Sequence, residues 1–181
     1  MKPQRTSDES TTMTIYTTLD SPLGELLLVG EETPDDTVTL TSLSMPGQKN
    51  APAVRPEWRH APDRFVEIAR QLSAYFDGKL TAFDIPFTPG GGTEFQQRVW
   101  HALEEIPYGT STTYGQLADG LGVPRGQVQA VGTAIGANPL LLVRPCHRVI
   151  GADGTMRGYA GGVERKVQLL THEGVLQPTL M

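Results

Sequence analysis

The hydrophobic pattern of the first half of the chain predicts strands followed by one helix. Residues 14–18 alternate, residues 25–30 form a short apolar run and residues 37–43 are rich in β-branched side chains, which predicts three strands. Residues 21–24 are typical of a hairpin turn, and residues 45–62 predict a loop. Apolar side chains then recur at helical spacing over residues 63–77, with Gly78 as a stop.

The second half of the chain has the pattern of short helices. Thr93 and Gln96 fit a capping box that begins a helix reaching about residue 106. Residues 113–122 predict a second helix, and Pro124 suits the first turn of a third that ends near residue 137. Two short helices joined by a tight turn indicate either a helix-turn-helix or an ordinary helical hairpin, and the pattern leaves both open.

The chain divides best at residues 86–92, which contain three consecutive glycines. We therefore predict an N-terminal α/β domain at residues 13–89 and a second domain at residues 90–177. The polar start lacks an apolar segment, so residues 1–12 are interpreted as a disordered tail and not as a secretory signal. Because no apolar run approaches the roughly 18–20 residues that span a bilayer, we expect no membrane partner and a cytoplasmic protein.

The charge distribution bears on possible partners. The chain carries a net charge of −5, all of it from the part before Thr93, whereas the second half is neutral. A nucleic-acid partner would have to contact the second half through local placement of charge. The third predicted helix offers small residues, which suit either tight helix packing or close approach to a DNA groove: Ala130, Gly132, Ala134, Gly136 and Ala137.

The single cysteine is the strongest chemical candidate. It excludes an internal disulfide and a Cys-rich zinc site. A thiol becomes a good nucleophile when an imidazole takes its proton and a carboxylate orients the imidazole. Cys146 precedes His147 directly, so a bent backbone or a bridging water would be needed, and Glu173 is our candidate carboxylate. A buried thiol beside a surface histidine remains the alternative, and the competing bases are His60, His101 and His172.

Several motifs together carry a family resemblance. They are residues 95–100, 106–109, 114–118, 138–151, 158–162 and 166–174, of which the Pro-Cys-His-Arg-Val-Ile run at 145–150 is the most specific. The chain resembles the O6-alkylguanine-DNA alkyltransferase family strongly over residues 93–174 and weakly before them. The resemblance implies an α+β protein with a small ribonuclease-H-like α/β domain before a winged helix-turn-helix domain.

The resemblance also implies residue roles. Cys146 would accept the alkyl group, with His147 and Glu173 activating it through a water and Asn138 holding the loop. Tyr114 would cover the flipped guanine and donate a proton to it. The rest of the base pocket would come from the Cys146 and Val149 carbonyls and from Tyr159, Ala160 and Gly161. The DNA-binding residues implied on the recognition helix are Arg125, Val128, Gln129, Ala130 and Gly132.

Two positions depart from the family pattern. Gln129 stands where the family usually has an arginine that fills the gap left by the flipped base, and we hypothesise that Arg125, one turn earlier, partly substitutes. Ala160 stands where some members have a serine. Family members that hold zinc use N-terminal cysteines, which this chain lacks, so we expect no metal and no cofactor.

The implied function is repair of alkylated double-stranded DNA by one irreversible transfer to Cys146. We expect a monomer in solution, and cooperative assembly on DNA and repair of O4-alkylthymine stay open. Three alternatives remain: a lesion sensor without transfer, a helix-turn-helix regulator and a cysteine hydrolase. The first is disfavoured because such relatives lack the acceptor cysteine, which is present here.

Overall fold

A four-stranded sheet forms the N-terminal half of the computed structural model, which describes residues 13–35, 37–49, 51–88, 91–156 and 158–177. Its strands are β1 (Met13–Ser21), β2 (Gly24–Glu32), β3 (Val38–Ser44) and β4 (Arg59–His60), in the order β3-β2-β1-β4. The three predicted strands are present as β1 to β3 and are antiparallel neighbours, and the hairpin turn predicted at residues 21–24 is confirmed. The predicted tail, residues 1–12, lies outside the described residues.

Strand β4 corrects the prediction of a continuous loop over residues 45–62. Its two residues pair in parallel with β1 and are both exposed. Because so short an exposed strand has no apolar alternation, the hydrophobic pattern carries no signal for it.

Helix α1 (Val66–Phe76) packs its apolar stripe on this sheet. A 3-10 turn at Pro62–Arg64 precedes it, and Phe65 has φ −106° and ψ 14°, so the α-helix begins three residues later than predicted. The side chains of Phe65, Leu72 and Tyr75 are at most 1 % exposed. They join a core with the apolar sheet residues, which include Ile15, Leu26, Leu28, Leu40 and Leu43.

The C-terminal half consists of short helices around a two-stranded parallel pair. The helices are α2 (Glu94–Leu103), α3 (Tyr114–Gly120), α4 (Val128–Gly136) and α5 (Val163–His172), and the strands are β5 (Thr112–Thr113) and β6 (Val149–Ile150). Both hydrogen bonds of the predicted Thr93–Gln96 capping box are present. None of the helices in the described part of the chain is long and apolar enough to cross a membrane.

The start of α4 differs from the prediction. Pro124 has extended backbone angles, a 3-10 turn follows at Arg125–Gln127, and Gln127 leaves helical geometry at φ −117° and ψ 16°. Helix α4 therefore begins at Val128, and Arg125 lies in the preceding turn, not in the helix. Helical spacing could not show this, because a 3-10 turn and an α-turn place polar residues at similar intervals.

The two halves meet along β3 and the loop before Cys146. The Leu43 N–H donates to the Pro139 carbonyl at 3.0 Å, and the Leu141 N–H donates to the Leu43 carbonyl at 3.2 Å. On another side, the Arg165 guanidinium of α5 donates to the Leu23 carbonyl in the N-terminal hairpin at 2.8 Å. The N-terminal sheet thus holds the loop that positions the cysteine.

Candidate active site

Cys146 lies in a 3-10 turn, Cys146–Arg148, at the end of a buried loop. This turn supplies the bent backbone that adjacent cysteine and histidine side chains require. The thiol-bearing residue is only 3 % exposed, and its N–H donates to the Arg144 carbonyl at 2.7 Å. Leu142 in the loop has φ 72°, a left-handed conformation that costs energy for a leucine and marks a tightly constrained segment.

Asn138 holds this loop together. Its side-chain oxygen accepts from the Leu140 N–H at 3.0 Å. Its Nδ2 lies 3.2 Å from the Arg144 carbonyl and 3.4 Å from Cys146 Sγ. Since the residue is buried, these bonds satisfy a polar group that would otherwise be costly. The predicted position of Asn138 at the loop therefore matches the geometry, and the same amide contacts the thiol.

Glu173 ends α5 and faces His147. His147 Nε2 lies 2.8 Å from Glu173 Oε2, and both side chains are almost completely buried. Arg148 adds a two-point ion pair, with Nε 2.8 Å from Oε1 and Nη2 3.0 Å from Oε2. We call Cys146, His147 and Glu173 the buried relay. The ion pair gives Arg148 a structural role beside the relay.

The competing histidines do not join the relay. His101 is exposed on α2 near two glutamates, and His60 stacks on Tyr16 at a ring separation of 5.1 Å. His172 Nε2 bonds to the Tyr75 carbonyl at 2.7 Å. Of the four histidines, His147 is therefore the one that follows Cys146 and contacts the Glu173 carboxylate.

Burial sets the protonation of the relay at rest. It raises the pKa of Cys146 to about 11, although the Asn138 hydrogen bond and the Lys166 charge pull the other way. Burial also lowers the pKa of His147, against the opposing effect of Glu173. Burial alone would raise the pKa of Glu173, but the hydrogen bonds from His147 and Arg148 outweigh it and hold that pKa well below its ordinary range. The relay rests as a thiol, a neutral imidazole and a carboxylate.

Lys166 is a charged residue near the thiol that the sequence reasoning missed. It is 0 % exposed, and burial lowers its pKa to about 8, while the Cys146 charge acts in the opposite direction. Its Nζ lies 5.7 Å from the centroid of the Tyr114 ring. A signal was available, because Lys166 falls at helical spacing with the buried Leu169, Leu170 and Glu173.

A cleft of about 670 Å³ opens between α3, α4 and the 158–160 loop. Tyr114 lines it and its hydroxyl points across to the Gly158 carbonyl at 3.4 Å. Tyr159 lines the same cleft and stands edge-on to His147, with ring centroids 6.4 Å apart. Tyr159 thus borders the cleft on one side and contacts His147 of the buried relay on the other. We call this space the Tyr114 cleft; its other lining residues are Lys49, Val128, Gln129, Gly132, Thr133, Gly136, Gly158 and Ala160.

Two predicted pocket residues lie outside this cleft. Gly161 is buried behind Tyr159, and a Cβ there would come within 2.8 Å of the Tyr159 ring and 2.6 Å of Met45 Sδ, so the loop needs a glycine for this close packing. Val149 is 0 % exposed in β6, and its N–H donates to the Cys146 carbonyl. Gly161 therefore does not line the Tyr114 cleft, and the role that the resemblance implies for Val149 concerns its backbone carbonyl and not its side chain.

The residues predicted to contact DNA lie on α4 and on the turn before it, and three of the five are exposed. Arg125, Gln129 and Ala130 are exposed, whereas Val128 and Gly132 are half-buried beside the Tyr114 cleft. Some of the small residues of α4 face inward, as tight helix packing requires, and others face outward, where the helix backbone is open to close approach. Ala134 packs inward, where its carbonyl accepts from the Trp100 indole at 2.8 Å, and Ala130 and Gly136 face outward.

Comparison with known proteins decides the family. The family model described as "6-O-methylguanine DNA methyltransferase, ribonuclease-like domain" matches residues 14–89, and "6-O-methylguanine DNA methyltransferase, DNA binding domain" matches residues 94–175. The chain belongs to this family. Its fold is accordingly the two-domain α+β fold of the family, with a ribonuclease-like domain before a DNA-binding domain.

Known relatives match this methyltransferase over most of its length. The methylated-DNA–protein-cysteine methyltransferase of Mycolicibacterium paratuberculosis is 48 % identical over 158 residues, which are 87 % of this chain and 91 % of the relative. The protein of that name from Methanosarcina acetivorans is 45 % identical over 88 % of this chain and 97 % of its own. A crystal structure of Mycobacterium tuberculosis OGT in complex with DNA superposes with a TM-score of 0.79 at 46 % identity, covering 88 % of this chain and 92 % of that one.

Proposed function

We propose that this methyltransferase repairs double-stranded DNA by moving the alkyl group of O6-alkylguanine onto Cys146 in one irreversible step. The observation that carries the proposal is the buried relay in contact with Tyr159, a lining residue of the Tyr114 cleft, in a chain whose relatives are named methylated-DNA–protein-cysteine methyltransferases. A thiol cannot reach an alkyl carbon inside a stacked duplex, so the damaged base must leave the duplex first. The cleft lies beside α4 and offers a place for the flipped base.

Proton transfer precedes alkyl transfer. Because the Glu173 carboxylate is ionised and only accepts hydrogen bonds, the His147 Nε2 that faces it carries the imidazole proton. His147 Nδ1 is then the basic atom, and it is buried without a hydrogen-bond partner among the described residues. A bridging water passes the Cys146 proton to Nδ1, which yields a thiolate and an imidazolium that Glu173 stabilises.

Alkyl transfer is a displacement at carbon. The Cys146 thiolate forms a bond to the alkyl carbon while the bond from that carbon to guanine O6 breaks, and the electron pair leaves with the base. Tyr114, which lines the cleft, donates a proton to the departing guanine. The backbone carbonyls of Cys146 and Val149 accept from the guanine amine, and the Ala160 N–H holds the other edge of the base. The products are S-alkylcysteine and unmodified guanine.

The reaction ends after one event per molecule. The chain has no second cysteine to take the alkyl group onward, and a thioether has no easy leaving group. This separates the proposal from a cysteine hydrolase, in which water would regenerate the thiol. We place the protein in the cytoplasm as a monomer that acts on alkylated duplex DNA without a cofactor.

Recognition of DNA falls to α4 and the turn before it. Arg125 and Gln129 are exposed at its N-terminal end, and Ala130 and Gly132 allow the helix backbone to approach a groove closely. The loss of the usual arginine at Gln129 weakens base extrusion and leaves the chemistry of the relay unchanged.

A titration of lesions tests the proposal. A duplex with one O6-methylguanine, in fivefold excess over protein, is assayed for unmodified guanine over time. We expect a plateau at one repaired lesion per protein molecule. Continued turnover would point to a hydrolytic reaction, and tight binding with no repair would point to a lesion sensor.

A further inference from the structure

A tyrosine of the N-terminal domain reaches the carboxylate of the buried relay. Tyr75 lies on the last turn of α1 and is 1 % exposed. Its hydroxyl donates to Glu173 Oε2 at 2.6 Å, although 98 residues separate the two in sequence. Burial and the Glu173 charge raise the pKa of Tyr75 well above its ordinary value, so the phenol stays a donor.

The backbone of Tyr75 holds the same helix end. Its carbonyl accepts from His172 Nε2 at 2.7 Å, and its ring lies 4.9 Å from the His172 ring. His172 is the last residue of α5 and Glu173 is its C-cap. Tyr75 of α1 therefore fixes both His172 and Glu173 at the end of α5, where the carboxylate lies.

The hydrogen bonds and the ion pair at Glu173 restrict its carboxylate to one orientation. Arg148 takes both oxygens in a two-point ion pair, which fixes the carboxylate plane. Oε2 then accepts from Tyr75 and from His147 as well. Tyr75 and His147 thus share one oxygen, and the negative charge that His147 draws on is divided between them.

We propose that Tyr75 is a positioning residue for alkyl transfer: its hydroxyl holds Glu173 in register with His147 and limits the pull of the carboxylate on the imidazole. The inference rests on the proposed relay and assigns part of its control to the N-terminal domain. Tyr75 does not touch the reacting atoms; it acts through Glu173.

The proposal predicts a direction for the His147 pKa. Without the Tyr75 hydroxyl, Oε2 interacts more strongly with the imidazole proton, so the His147 pKa rises. Glu173 also loses one of the bonds that hold it in register with His147, and this loss of position slows transfer. The other groups that face Glu173 and His147 keep their charge state in this comparison; they are Arg148, Lys166, Tyr108, Tyr159 and Cys146.

The test compares Tyr75→Phe with Tyr16→Phe in the full chain. Both remove one hydroxyl from the N-terminal domain, and Tyr16 packs against Trp58 and His60, away from the relay.

Single-turnover transfer from an O6-methylguanine duplex is measured across pH. The ring of His147 is titrated by NMR, and His147→Gln is used to assign its signal among those of the four histidines. We expect Tyr75→Phe to slow transfer about tenfold at neutral pH, the scale of one hydrogen bond to a charged group. The His147 titration should move to higher pH, and Tyr16→Phe should change neither quantity.

A double-mutant cycle separates positioning from folding. If Tyr75 acts through Glu173, Tyr75→Phe slows the parent and has no further effect in a Glu173→Gln background. Equal slowing in both backgrounds, or an unmoved His147 titration beside a lowered melting temperature, would overturn the proposal in favour of a purely structural tyrosine. If His147→Gln and Glu173→Gln react as fast as the parent, the proposed relay itself fails, whatever Tyr75 does.

Discussion

The surface that we propose for DNA contact and the buried relay differ sharply in the kind of residues that form them. Around the Tyr114 cleft, α4 offers small uncharged residues such as Gly132 and Gly136, and Lys49 is the cation among the lining residues. Beside the Cys146 thiol, four basic or acidic side chains are buried, each at most 6 % exposed: His147, Arg148, Lys166 and Glu173. The comparison teaches that buried charge is concentrated beside the thiol, whereas the cleft is lined mainly by small and uncharged residues.

Charge is costly inside a protein, so each buried ion depends on its partners. Glu173 has the side chains of Arg148, His147 and Tyr75 as hydrogen-bond donors, and these donors keep it ionised despite burial. Removing one partner of such a set leaves an uncompensated charge, whereas a change on α4 leaves water to solvate the remaining groups. The largest effects should therefore come from the relay and the smallest from the DNA-facing surface.

Glu173→Gln should have the largest effect. The amide keeps the shape but loses the charge that stabilises the imidazolium, and it turns a donor toward Arg148. We expect transfer to slow about 100-fold or more, since general-base catalysis contributes on that scale. Stability should fall by about 3 kcal/mol, because Arg148 stays buried without its ion pair. Single-turnover rates and urea unfolding check both values against Glu164→Gln, an exposed glutamate in the first turn of α5. A rate within twofold of the parent would remove Glu173 from the mechanism.

Lys166→Met should come next, with about tenfold slower transfer. The buried ammonium favours ionisation of Cys146, so its loss should raise the thiol pKa further. Alkylation of Cys146 by iodoacetamide across pH measures that pKa without DNA. Lys79→Met, at an exposed position, is the matched control and should leave the profile unchanged. An unshifted profile in Lys166→Met would mean that the lysine serves folding alone.

Acid should destabilise the fold through Glu173. Its pKa is depressed in the folded protein and returns to about 4.5 on unfolding. Its contribution to stability is therefore complete above about pH 4.5 and is lost as pH falls toward the folded pKa, because the unfolded chain binds the proton first. The free energy of unfolding, measured in urea from about pH 6 to about pH 3, should fall more steeply for the parent than for Glu173→Gln. Parallel curves would contradict this.

The smallest effects should come from the DNA-facing surface. Gln129→Arg should speed repair of a duplex a few-fold, because an arginine there can fill the gap left by the flipped base. Arg125→Ala should slow it a few-fold and lower the salt dependence of duplex binding by about one phosphate contact. Neither change should alter iodoacetamide alkylation of Cys146. An unchanged rate in Arg125→Ala would show that Arg125 does not substitute for the missing arginine.

Local patterns predicted the parts of the molecule that local physics sets. Alternation, a short apolar run and β-branched residues predicted β1, β2 and β3 respectively, and the capping box predicted the start of α2. The end of the last predicted helix suggested Glu173 as the candidate carboxylate. The exposed strand β4 and the 3-10 turn that delays α4 have no distinctive spacing, so they were missed. Lys166 could have been found as a charge on an apolar stripe.

Tyr75 could not have been found from the sequence. On α1 it is one aromatic residue of an apolar stripe, and its hydroxyl meets Glu173 only because the two domains pack together. Pairing of groups 98 residues apart is a property of the fold and not of any segment. The same holds for the separation of Gly161 from the cleft, which depends on how Met45 and Tyr159 enclose it.

Intact mass of the protein after incubation with a duplex containing one O6-methylguanine tests the central claim most directly. A gain of one methylene, about 14 Da by elementary composition, should appear once per molecule, map to the Cys146 peptide and be absent in Cys146→Ser. A parent protein that repairs the lesion with no mass gain, or a gain that persists in Cys146→Ser, would contradict Cys146 as the acceptor.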